Sequence, residues 1–347
     1  MAVLLKHYKE FPGMQIQDAF KFLYQSTFGC EHFVSSLHRA TEMIKEEYKL
    51  TKGGKTSETV ALDGQYSRVP LSVLDSGISA GTLAKLFVAS SKKEKGDLPL
   101  LLKKLGQARS LIREGLLPFD GREFEDALCR WASEGYPAIH HSESFRSAYS
   151  PSYRVIANEY IPFIPLLAYI DGADEKKRIV IAVDGGSASG KTTLSRLLEE
   201  LYCCTVFHTD DFFLQPFQRT EERLAETGGN IDRERFISEV LEPLAAGKDV
   251  SYISFDCSAM SLEKGRLICP ERLVIIEGAY SMHPAFGQYW DLSVFLDVSE
   301  NAQRERIMKR NSAQFAKRFF GEWIPMENRY FRDTDIRRRC DMIIDIK

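Results

Sequence analysis

The chain has 347 residues, of which 44% are hydrophobic and 27% charged, and its formal net charge at pH 7 is −3. This length is enough for two domains, and the composition is that of an ordinary globular protein. The small net charge gives no broad basic field that would favour nucleic acid or an anionic membrane as a partner. The longest apolar stretch, residues 161–170, is too short to cross a bilayer and contains two prolines.

The N-terminal sequence and the cysteines bear on where the protein works. The first residues, MAVLLKHYKE, reach a charged side chain after five positions, which does not fit a secretory leader. Seven scattered cysteines without metal-ligand spacing indicate reduced thiols. We therefore expect a cytoplasmic protein that binds neither nucleic acid nor membranes, and a homo-oligomer is left open.

The first half of the chain has a helical pattern. Apolar residues recur at helical spacing over 15–50, 80–91, 98–114 and 123–133. Only short stretches, such as 67–74, look extended. The pattern predicts a mostly helical domain over residues 1–173, of unknown role, with a linker near 172–177.

Two segments of this helical half carry candidate site residues. The candidate pairs are Glu31 with His32 in STFGCEHF, and His140 or His141 with Arg154 in HHSESFRSAYSPSYRV. A helix break with surface polarity explains either segment. The alternative is a small site, such as an exposed loop that binds an anion.

From about residue 178 the chain alternates short apolar runs with helical patterns. The predicted strands are 178–184, 204–210, 272–278, 291–298 and 341–346, and the predicted helices are 192–202, 234–247, 300–311 and 313–330. Strands that are apolar throughout and separated by helices indicate a parallel sheet covered on both faces. Residues 177–347 are therefore predicted to form an α/β domain with a five-stranded parallel sheet.

A glycine-rich segment, GGSASGKTT (185–193), follows the first of these strands and opens a helix. It fits the pattern G-x-x-x-x-G-K-[ST], in which the glycines let consecutive backbone N–H groups point at phosphate oxygens. Lys191 adds a positive charge, and the Thr192 hydroxyl can bind Mg²⁺. The predicted phosphate-binding residues are Gly185, Gly186, Ser187, Ala188, Ser189, Gly190, Lys191, Thr192 and Thr193.

Carboxylates end two other predicted strands. Asp210 and Asp211 are adjacent in HTDDFFLQ. Glu277 ends the predicted strand of VIIEG, and because burying a carboxylate is costly, its presence there favours a functional role. Parallel strands end at the same edge of a sheet, so a nucleotide and Mg²⁺ held by the loop would lie beside these groups. We expect the aspartate pair to face the metal, an incoming hydroxyl, or both.

Four motifs of this half resemble those of the uridine kinase and phosphoribulokinase group, to which nicotinamide riboside kinases are related. In chain order they are GGSASGKTT, a strand followed by DDFF, then NIDRERF, then VIIEG. The resemblance covers about residues 178–347. It implies a P-loop NTPase fold and a small-molecule kinase that uses ATP and Mg²⁺. It further implies that Asp210 is the base for the hydroxyl of a nucleoside or sugar-like acceptor, and that Asp211, Glu277 and Thr192 lie near the metal.

The segment NAQRERIMKRN (301–311) resembles the lid helix of uridine kinases. Arg306 and Arg310 lie one helical turn apart and match lid arginines, which implies that they neutralise charge on the transferred phosphoryl group. Arg304 lies off that face and is a weaker candidate. The alternative is an ordinary basic surface helix.

The acceptor region departs from the uridine kinase pattern. Asp232 in NIDRERF aligns with an aspartate of uridine kinases that binds ribose hydroxyls. Phe255–Asp256 aligns with a Tyr–Asp pair of the same enzymes. Met260 stands where those enzymes use a histidine against the pyrimidine base, and a thioether cannot replace imidazole in hydrogen bonding. The acceptor is therefore left open.

Two other classes of function compete with a kinase. One is a nucleotide-dependent regulator, and the other is a binding protein with a P-loop domain that transfers nothing. The chain has neither an N-K-x-D guanine-recognition motif nor a transporter-type signature, which disfavours GTPases and ABC ATPases. Retention of Lys191, Thr192, Asp210 and Glu277 counts against a decayed kinase.

Overall fold

The computed structural model describes residues 2–30, 36–51, 58–256 and 259–346. The chain divides into two compact units, Met1–Gly172 and Ala173–Lys347. No helix in the described ranges is both long enough and apolar enough to span a membrane.

The first unit is mostly helical, as predicted, and contains a small sheet. Its helices are α1 Ala2–Glu10, α2 Ile16–Phe28, α3 Leu37–Thr51, α4 Ala80–Ser91, α5 Leu98–Arg113, α6 Gly121–Ser133, α7 Glu143–Tyr149 and α8 Ile164–Gly172. Its strands are β1 Val60–Ala61, β2 Tyr66–Pro70 and β3 Tyr153–Ala157. They form an antiparallel sheet in the order β1-β2-β3.

Side-chain caps fix where several of these helices begin. Ser79, Asp97, Asp120 and Ser142 precede α4 to α7, and each side chain accepts a hydrogen bond from the first turn of its helix. Such caps satisfy backbone N–H groups that have no partner inside the helix. The antiparallel sheet was not predicted, and 67–74 is only partly extended because a 3₁₀ helix follows β2.

The second unit is an α/β domain. Its strands are β4 Ile179–Gly185, β5 Cys204–His208, β6 Val250–Tyr252, β7 Phe255–Asp256, β8 Ser261–Leu262, β9 Arg266–Ile268, β10 Leu273–Glu277, β11 Leu292–Val298 and β12 Met342–Ile346. Its helices are α9 Lys191–Leu201, α10 Glu221–Ala225, α11 Arg233–Phe236, α12 Glu242–Ala245, α13 Glu300–Arg310, α14 Ala313–Arg318, α15 Ile324–Thr334 and α16 Ile336–Arg339.

Five of these strands form the predicted parallel sheet, in the order β12-β11-β4-β10-β5. Its central strands β4 and β10 are buried along their whole length, which explains their continuous apolar sequence. The register sets Glu277 opposite Val183 on one side and His208 on the other. The loops after β4, β10 and β5 therefore leave the sheet at one edge. The remaining short strands form two antiparallel two-stranded sheets, β6 with β9 and β7 with β8.

Two helices predicted as continuous each contain a π-helical turn. Ile237–Leu241 joins α11 to α12, and Phe319–Trp323 joins α14 to α15. Pro243 and Pro325 lie two residues beyond these turns. A proline lacks the N–H of the helical ladder, and its ring crowds the carbonyl four residues earlier, so the wider turn relieves the conflict.

Candidate active site

The glycine-rich loop joins the end of β4 to the start of α9. Gly185 and Gly190 have φ angles of 146° and 102°, and Ala188 has a φ of 57°. A Cβ atom on Gly185 would lie 2.6 Å from the carbonyl oxygen of Leu296 on the neighbouring strand. The loop therefore follows a path that a side chain at residue 185 would block.

Lys191 and Thr192, at the start of α9, turn towards this loop and towards β10. The Lys191 Nζ donates hydrogen bonds to the carbonyl oxygens of Gly185, at 2.7 Å, and Gly186, at 3.0 Å. The Thr192 hydroxyl donates to Glu277 Oε1 at 3.2 Å. The Lys191 ammonium group and the Thr192–Glu277 pair therefore lie together at the N-terminus of α9. The helix dipole adds a partial positive charge there.

Glu277 ends β10 and is 4% exposed. Its Oε1 also meets His208 Nδ1 at 2.7 Å, since β5 and β10 are in register at these residues. The hydrogen bond and charge of Glu277 raise the pKa of His208 above its ordinary value, against the effect of burial. The buried carboxylate is therefore held by two polar neighbours rather than left alone.

Asp210 lies in a short 3₁₀ turn, Thr209–Phe212, directly after β5. The surrounding protein desolvates its carboxyl group and raises its pKa, Glu277 and Glu327 act in the same direction, and Lys191 opposes them. The side chain is nevertheless exposed, so contact with water limits the desolvation. These interactions place the Asp210 carboxyl within electrostatic range of the loop lysine and of Glu277.

The turn after β10 packs tightly against this 3₁₀ turn. Thr209 is fully buried, and its hydroxyl donates to the carbonyl oxygen of Ala279 at 2.9 Å. Gly278 has a φ of 145°, and a Cβ atom there would lie 1.9 Å from Thr209 Oγ1. The close approach of these two turns fixes the position of Asp210 relative to Glu277.

A carboxylate from α15 occupies part of the glycine-rich loop. Glu327 is 5% exposed, and it accepts hydrogen bonds from the Ser187 backbone N–H at 2.8 Å and the Ser187 hydroxyl at 2.6 Å. Burial raises the pKa of Glu327, whereas Lys191 and the Ser187 hydrogen bonds act against that rise. The loop therefore binds an anionic group of the protein itself.

Comparisons with known proteins relate the second unit to one family. Residues 180–316 match the model of the phosphoribulokinase / uridine kinase family. A uridine kinase of Ligilactobacillus salivarius is 26% identical over 149 residues, which cover 40% of this chain and 68% of that protein.

A bifunctional alpha-galactosidase/sucrose kinase AgaSK of Mediterraneibacter gnavus is 26% identical over 310 residues, covering 78% of this chain and 31% of that protein. A uridine-cytidine kinase-like 1 protein of Mus musculus is 24% identical over 153 residues, covering 41% of this chain and 28% of its own length. The chain thus spans about a third of the length of these two curated relatives. A solved structure, described as a possible uridine kinase from Bacillus stearothermophilus, aligns with a TM-score of 0.43 and 20% identity over 53% of this chain and 98% of its own.

The second unit is therefore similar to uridine kinase-like P-loop kinases. At the level of the family, the relatives support a small-molecule kinase.

In this uridine kinase-like unit, the Asp211 carboxyl lies within electrostatic range of His208, the hydrogen-bond partner of Glu277. Its Oδ2 accepts a hydrogen bond from the Tyr252 hydroxyl at 2.9 Å. The structure therefore brings Thr192 and Glu277 together as candidate metal ligands, whereas Asp211 contacts Tyr252 of β6.

Two predicted acceptor residues, Asp232 and Phe255, belong to segments that contact the 3₁₀ turn Thr209–Phe212. The Asp232 backbone N–H donates to the Phe212 carbonyl oxygen at 2.7 Å, and its buried carboxylate caps α11 and accepts from Gln218 Nε2 at 2.8 Å. Phe255 is 5% exposed in β7, whereas Met260 is 40% exposed. Asp232 already has structural partners, so a sugar hydroxyl would have to share or displace them.

The predicted lid helix, α13, contacts the loop through two residues. Arg306 Nη1 donates to the Ala188 carbonyl oxygen at 3.2 Å, and Gln303 Nε2 donates to the Ser187 carbonyl oxygen at 2.9 Å. Arg310 is exposed one turn further on. Arg304 stacks on the Phe320 ring, with 4.7 Å from Cζ to the ring centroid, and so faces α14 and the π turn.

Four residues of this region had no role assigned from sequence: Asp184, His208, Gln303 and Glu327. Asp184 is fully buried at the end of β4, and it accepts from the Tyr330 hydroxyl at 2.8 Å and the Met282 N–H at 3.1 Å. Burial raises the pKa of Asp184 to about 6, although these hydrogen bonds oppose the rise. The sequence could have indicated a role for Asp184, because it is a carboxylate inside an otherwise apolar strand. It could also have indicated a role for His208, because this residue lies just before the aspartate pair.

The candidate pairs of the first unit have different outcomes. Glu31 and His32 lie outside the described residues. His141 is buried, and its ring nitrogens meet Asp18 Oδ1 at 2.8 Å and the Tyr153 hydroxyl at 2.7 Å. Arg154 pairs with Glu47, yet His140, His141 and Arg154 all line one cavity.

Proposed function

We propose that the protein is an ATP-dependent kinase that transfers a phosphoryl group to a hydroxyl of a nucleoside or sugar-like small molecule. One observation carries the proposal: three neighbouring parallel strands, β4, β10 and β5, end at the same edge of the sheet. The Lys191 loop follows β4, Glu277 is the last residue of β10, and Asp210 lies just after β5. Ligands bind at such an edge in open α/β sheets.

The residues fit a nucleotide phosphate. The Ser187 N–H and hydroxyl already accommodate the Glu327 carboxylate, so the loop accepts an anion. The Ser189 hydroxyl oxygen is buried inside the same loop, and no described residue is its hydrogen-bond partner. A helix N-terminus with an adjacent lysine is suited to phosphate.

The residues also fit Mg²⁺. Thr192 Oγ1 and Glu277 Oε1 lie 3.2 Å apart beside the loop. In the described part of the chain, no group of three or more His, Cys, Asp and Glu side chains could hold a metal alone. Mg²⁺ is commonly bound by one or two carboxylates together with phosphate oxygens and water, which suits this sparse set. Bound ATP·Mg²⁺ would supply the phosphoryl group and neutralise part of its charge.

Asp210 is proposed as the base. Its carboxylate takes the proton of the acceptor hydroxyl while that oxygen bonds to phosphorus and the bond to the leaving diphosphate breaks. The raised pKa of Asp210 makes it a better proton acceptor than an ordinary aspartate. Lys191, Arg306 and Arg310 are proposed to balance the charge on the phosphate oxygens.

The sequence relatives favour a sugar hydroxyl over uridine as the acceptor. The match to the sucrose kinase protein covers more residues than the second unit contains, so it includes part of the first unit. The matches to the mouse uridine-cytidine kinase-like protein and to the Ligilactobacillus uridine kinase cover only 41% and 40% of the chain. Phe255 and Met260, which depart from the uridine kinase pattern, are consistent with a different acceptor.

The position of Glu327 supports a second candidate, a nucleotide-binding regulatory or ligand-binding protein that transfers nothing. A carboxylate on the Ser187 N–H occupies a group that a phosphate would use. In that case nucleotide binding would displace Glu327 from the loop without phosphoryl transfer.

Release of ADP discriminates between the two. The protein is incubated with ATP and Mg²⁺ across a panel of nucleosides, sugars and vitamin alcohols, with a Lys191→Met variant as the control for contaminating kinases. The kinase proposal expects ADP release that requires one class of acceptor and is lost in the variant. Acceptor-independent hydrolysis, or none with any acceptor, would favour the regulatory alternative.

A further inference from the structure

Residues 215–226 contact two of the predicted acceptor residues, and we call this segment the flap. Every residue of the flap is at least partly exposed. The Gln218 side chain donates from Nε2 to Asp232 Oδ2 at 2.8 Å, and the Arg219 guanidinium lies 5.8 Å from the ring centroid of Phe255. A sugar hydroxyl that binds Asp232 would therefore require the flap to release that carboxylate.

The two ends of the flap are fixed to the domain. Before it, the Leu214 N–H donates to the Asn230 carbonyl oxygen at 3.0 Å. After it, His283 Nε2 meets the Thr227 carbonyl oxygen at 2.9 Å, and the Thr227 hydroxyl donates to Asp333 Oδ2 at 2.9 Å. A segment that buries few side chains between two fixed ends is suited to local opening.

Helix α15 holds the flap between these ends through one arginine. Arg329 Nη2 donates to the carbonyl oxygens of Leu224, at 2.9 Å, and Glu226, at 3.0 Å. We call these two hydrogen bonds the latch. The latch ties the position of the flap to the position of α15.

The same helix contacts the phosphate-binding loop at two points. Glu327 accepts hydrogen bonds from the Ser187 N–H and hydroxyl, and Tyr330 donates to Asp184, the residue before the first glycine of the loop. A Cβ atom on Gly186 would lie 3.5 Å from Glu327 Oε2. Because α15 packs directly against the loop, a change at the loop reaches the helix.

Helical geometry places the loop contacts and the latch on opposite sides of α15. Glu327 and Tyr330 are three residues apart and share a face, whereas Glu327 and Arg329 are two residues apart and are separated by about 200° around the axis. A π-helical turn, Phe319–Trp323, directly precedes the helix, and such turns are frequent at functional sites. One helix thus bridges the loop and the flap.

We propose that α15 couples the phosphate-binding loop to the flap, so that nucleotide binding opens the latch. A nucleotide phosphate and the Glu327 carboxylate compete for the Ser187 N–H, and their charges repel. Displacement of Glu327 moves α15, which takes Arg329 away from the flap carbonyls and lets the flap release Asp232. The nucleotide thereby prepares the acceptor site. The inference rests on the nucleotide site of the proposed function and does not depend on phosphoryl transfer.

Hydrogen exchange of the full chain, with and without Mg²⁺ and the non-hydrolysable ATP analogue AMPPNP, tests this coupling. The readout is the exchange rate of residues 215–226, and calorimetric titration gives the affinity for AMPPNP. The variants are Arg329→Met, which removes the latch, and Arg329→Lys, which keeps one charged donor. Arg338→Met is the matched control, because Arg338 lies on α16 with 82% of its side chain exposed.

In the wild type, AMPPNP should slow exchange of residues 185–193 and speed exchange of the flap about 3-fold or more. In Arg329→Met, the flap should exchange fast without AMPPNP and show no further response. This variant should also bind AMPPNP about 2- to 5-fold more tightly, because coupling between two equilibria acts in both directions. A purely structural role of Arg329 would not tighten that binding. Arg329→Lys should be intermediate, and Arg338→Met should match the wild type.

Two results would overturn the coupling and leave the nucleotide site intact. The first is AMPPNP binding that slows exchange of the loop while exchange of the flap is unchanged or slower, since the Glu327 side chain would then move without α15. This comparison needs only the wild type. The second is a flap response that persists in Arg329→Met. Absence of AMPPNP binding would overturn the coupling and the nucleotide site together, whereas acceptor-dependent ADP release tests phosphoryl transfer separately.

Discussion

Glu327 accepts two hydrogen bonds from Ser187, one from the backbone N–H and one from the hydroxyl, and so places a carboxylate inside the phosphate-binding loop. Under the proposed function, this negative charge opposes nucleotide phosphates at the same loop. Glu327→Gln keeps an oxygen acceptor for Ser187 and removes the charge. We expect it to tighten ATP binding about 3- to 10-fold.

The measurement is the ATP dissociation constant of each variant. Glu322→Gln is the matched control, because Glu322 lies in the preceding π turn and forms an exposed pair with Arg318. Weaker ATP binding by Glu327→Gln would show that the carboxylate supports the loop rather than competes with the nucleotide.

Glu277 supplies the carboxylate of the candidate metal site. Glu277→Gln should raise the Mg²⁺ concentration needed for half-maximal ADP release by about 10-fold or more. Glu271→Gln is the control, since Glu271 is exposed and precedes the opposite end of β10. An unchanged Mg²⁺ requirement in Glu277→Gln would remove this residue from the metal site.

Gly278 permits the close approach of two turns at the sheet edge. In Gly278→Ala, the added Cβ would meet Thr209 Oγ1 at 1.9 Å, and the φ of 145° is unfavourable for alanine. We expect a loss of about 2–4 kcal/mol in the free energy of unfolding, measured in urea. Gly121→Ala, where no atom lies within 4 Å of the added Cβ, should be neutral or slightly stabilising. Equal stability of the two variants would contradict this packing.

Asp18 links α2 to the start of α7. Burial opposes its charge, but hydrogen bonds from His141, Ser142 and the Gln15 N–H lower the pKa of Asp18 to about 2. Because the folded pKa lies below the unfolded value of 3.8, the stabilisation is full above pH 3.8 and is lost as the pH falls through about 2. This linkage is worth about 2 kcal/mol at neutral pH.

Asp18→Asn should therefore destabilise the first unit at pH 6, and the difference from the wild type should shrink by about half at pH 3. Urea unfolding at both pH values, with hydrogen exchange of α2 as a local readout, measures it. Asp126→Asn on the exposed face of α6 is the control. A difference that stays constant between pH 6 and pH 3 would argue against these hydrogen bonds.

The local features of the second unit were predictable from sequence. Continuous apolar runs gave the five strands, and the glycines of the loop required a path that other residues cannot follow. The proximity of Asp210 and Glu277 followed from a rule of topology, because parallel strands end at one sheet edge. These inferences needed no knowledge of distant contacts.

Contacts between distant segments were not predictable. Glu327 reaches Ser187 across 140 residues, and Tyr330 reaches Asp184 across 146. In the first unit, β3 follows a polar segment and becomes a strand only by pairing with β2, where Tyr66 faces Ala157. Spacing along one chain carries no information about which partner such residues meet.

The central claim is that Asp210 removes the proton of the acceptor hydroxyl while the loop of Lys191 holds the nucleotide. The most direct test is turnover and ATP affinity of Asp210→Asn, once an acceptor is known. We expect turnover to fall about 10²- to 10⁴-fold with ATP affinity retained, because the variant loses only the base. Near-full turnover of Asp210→Asn would contradict the account.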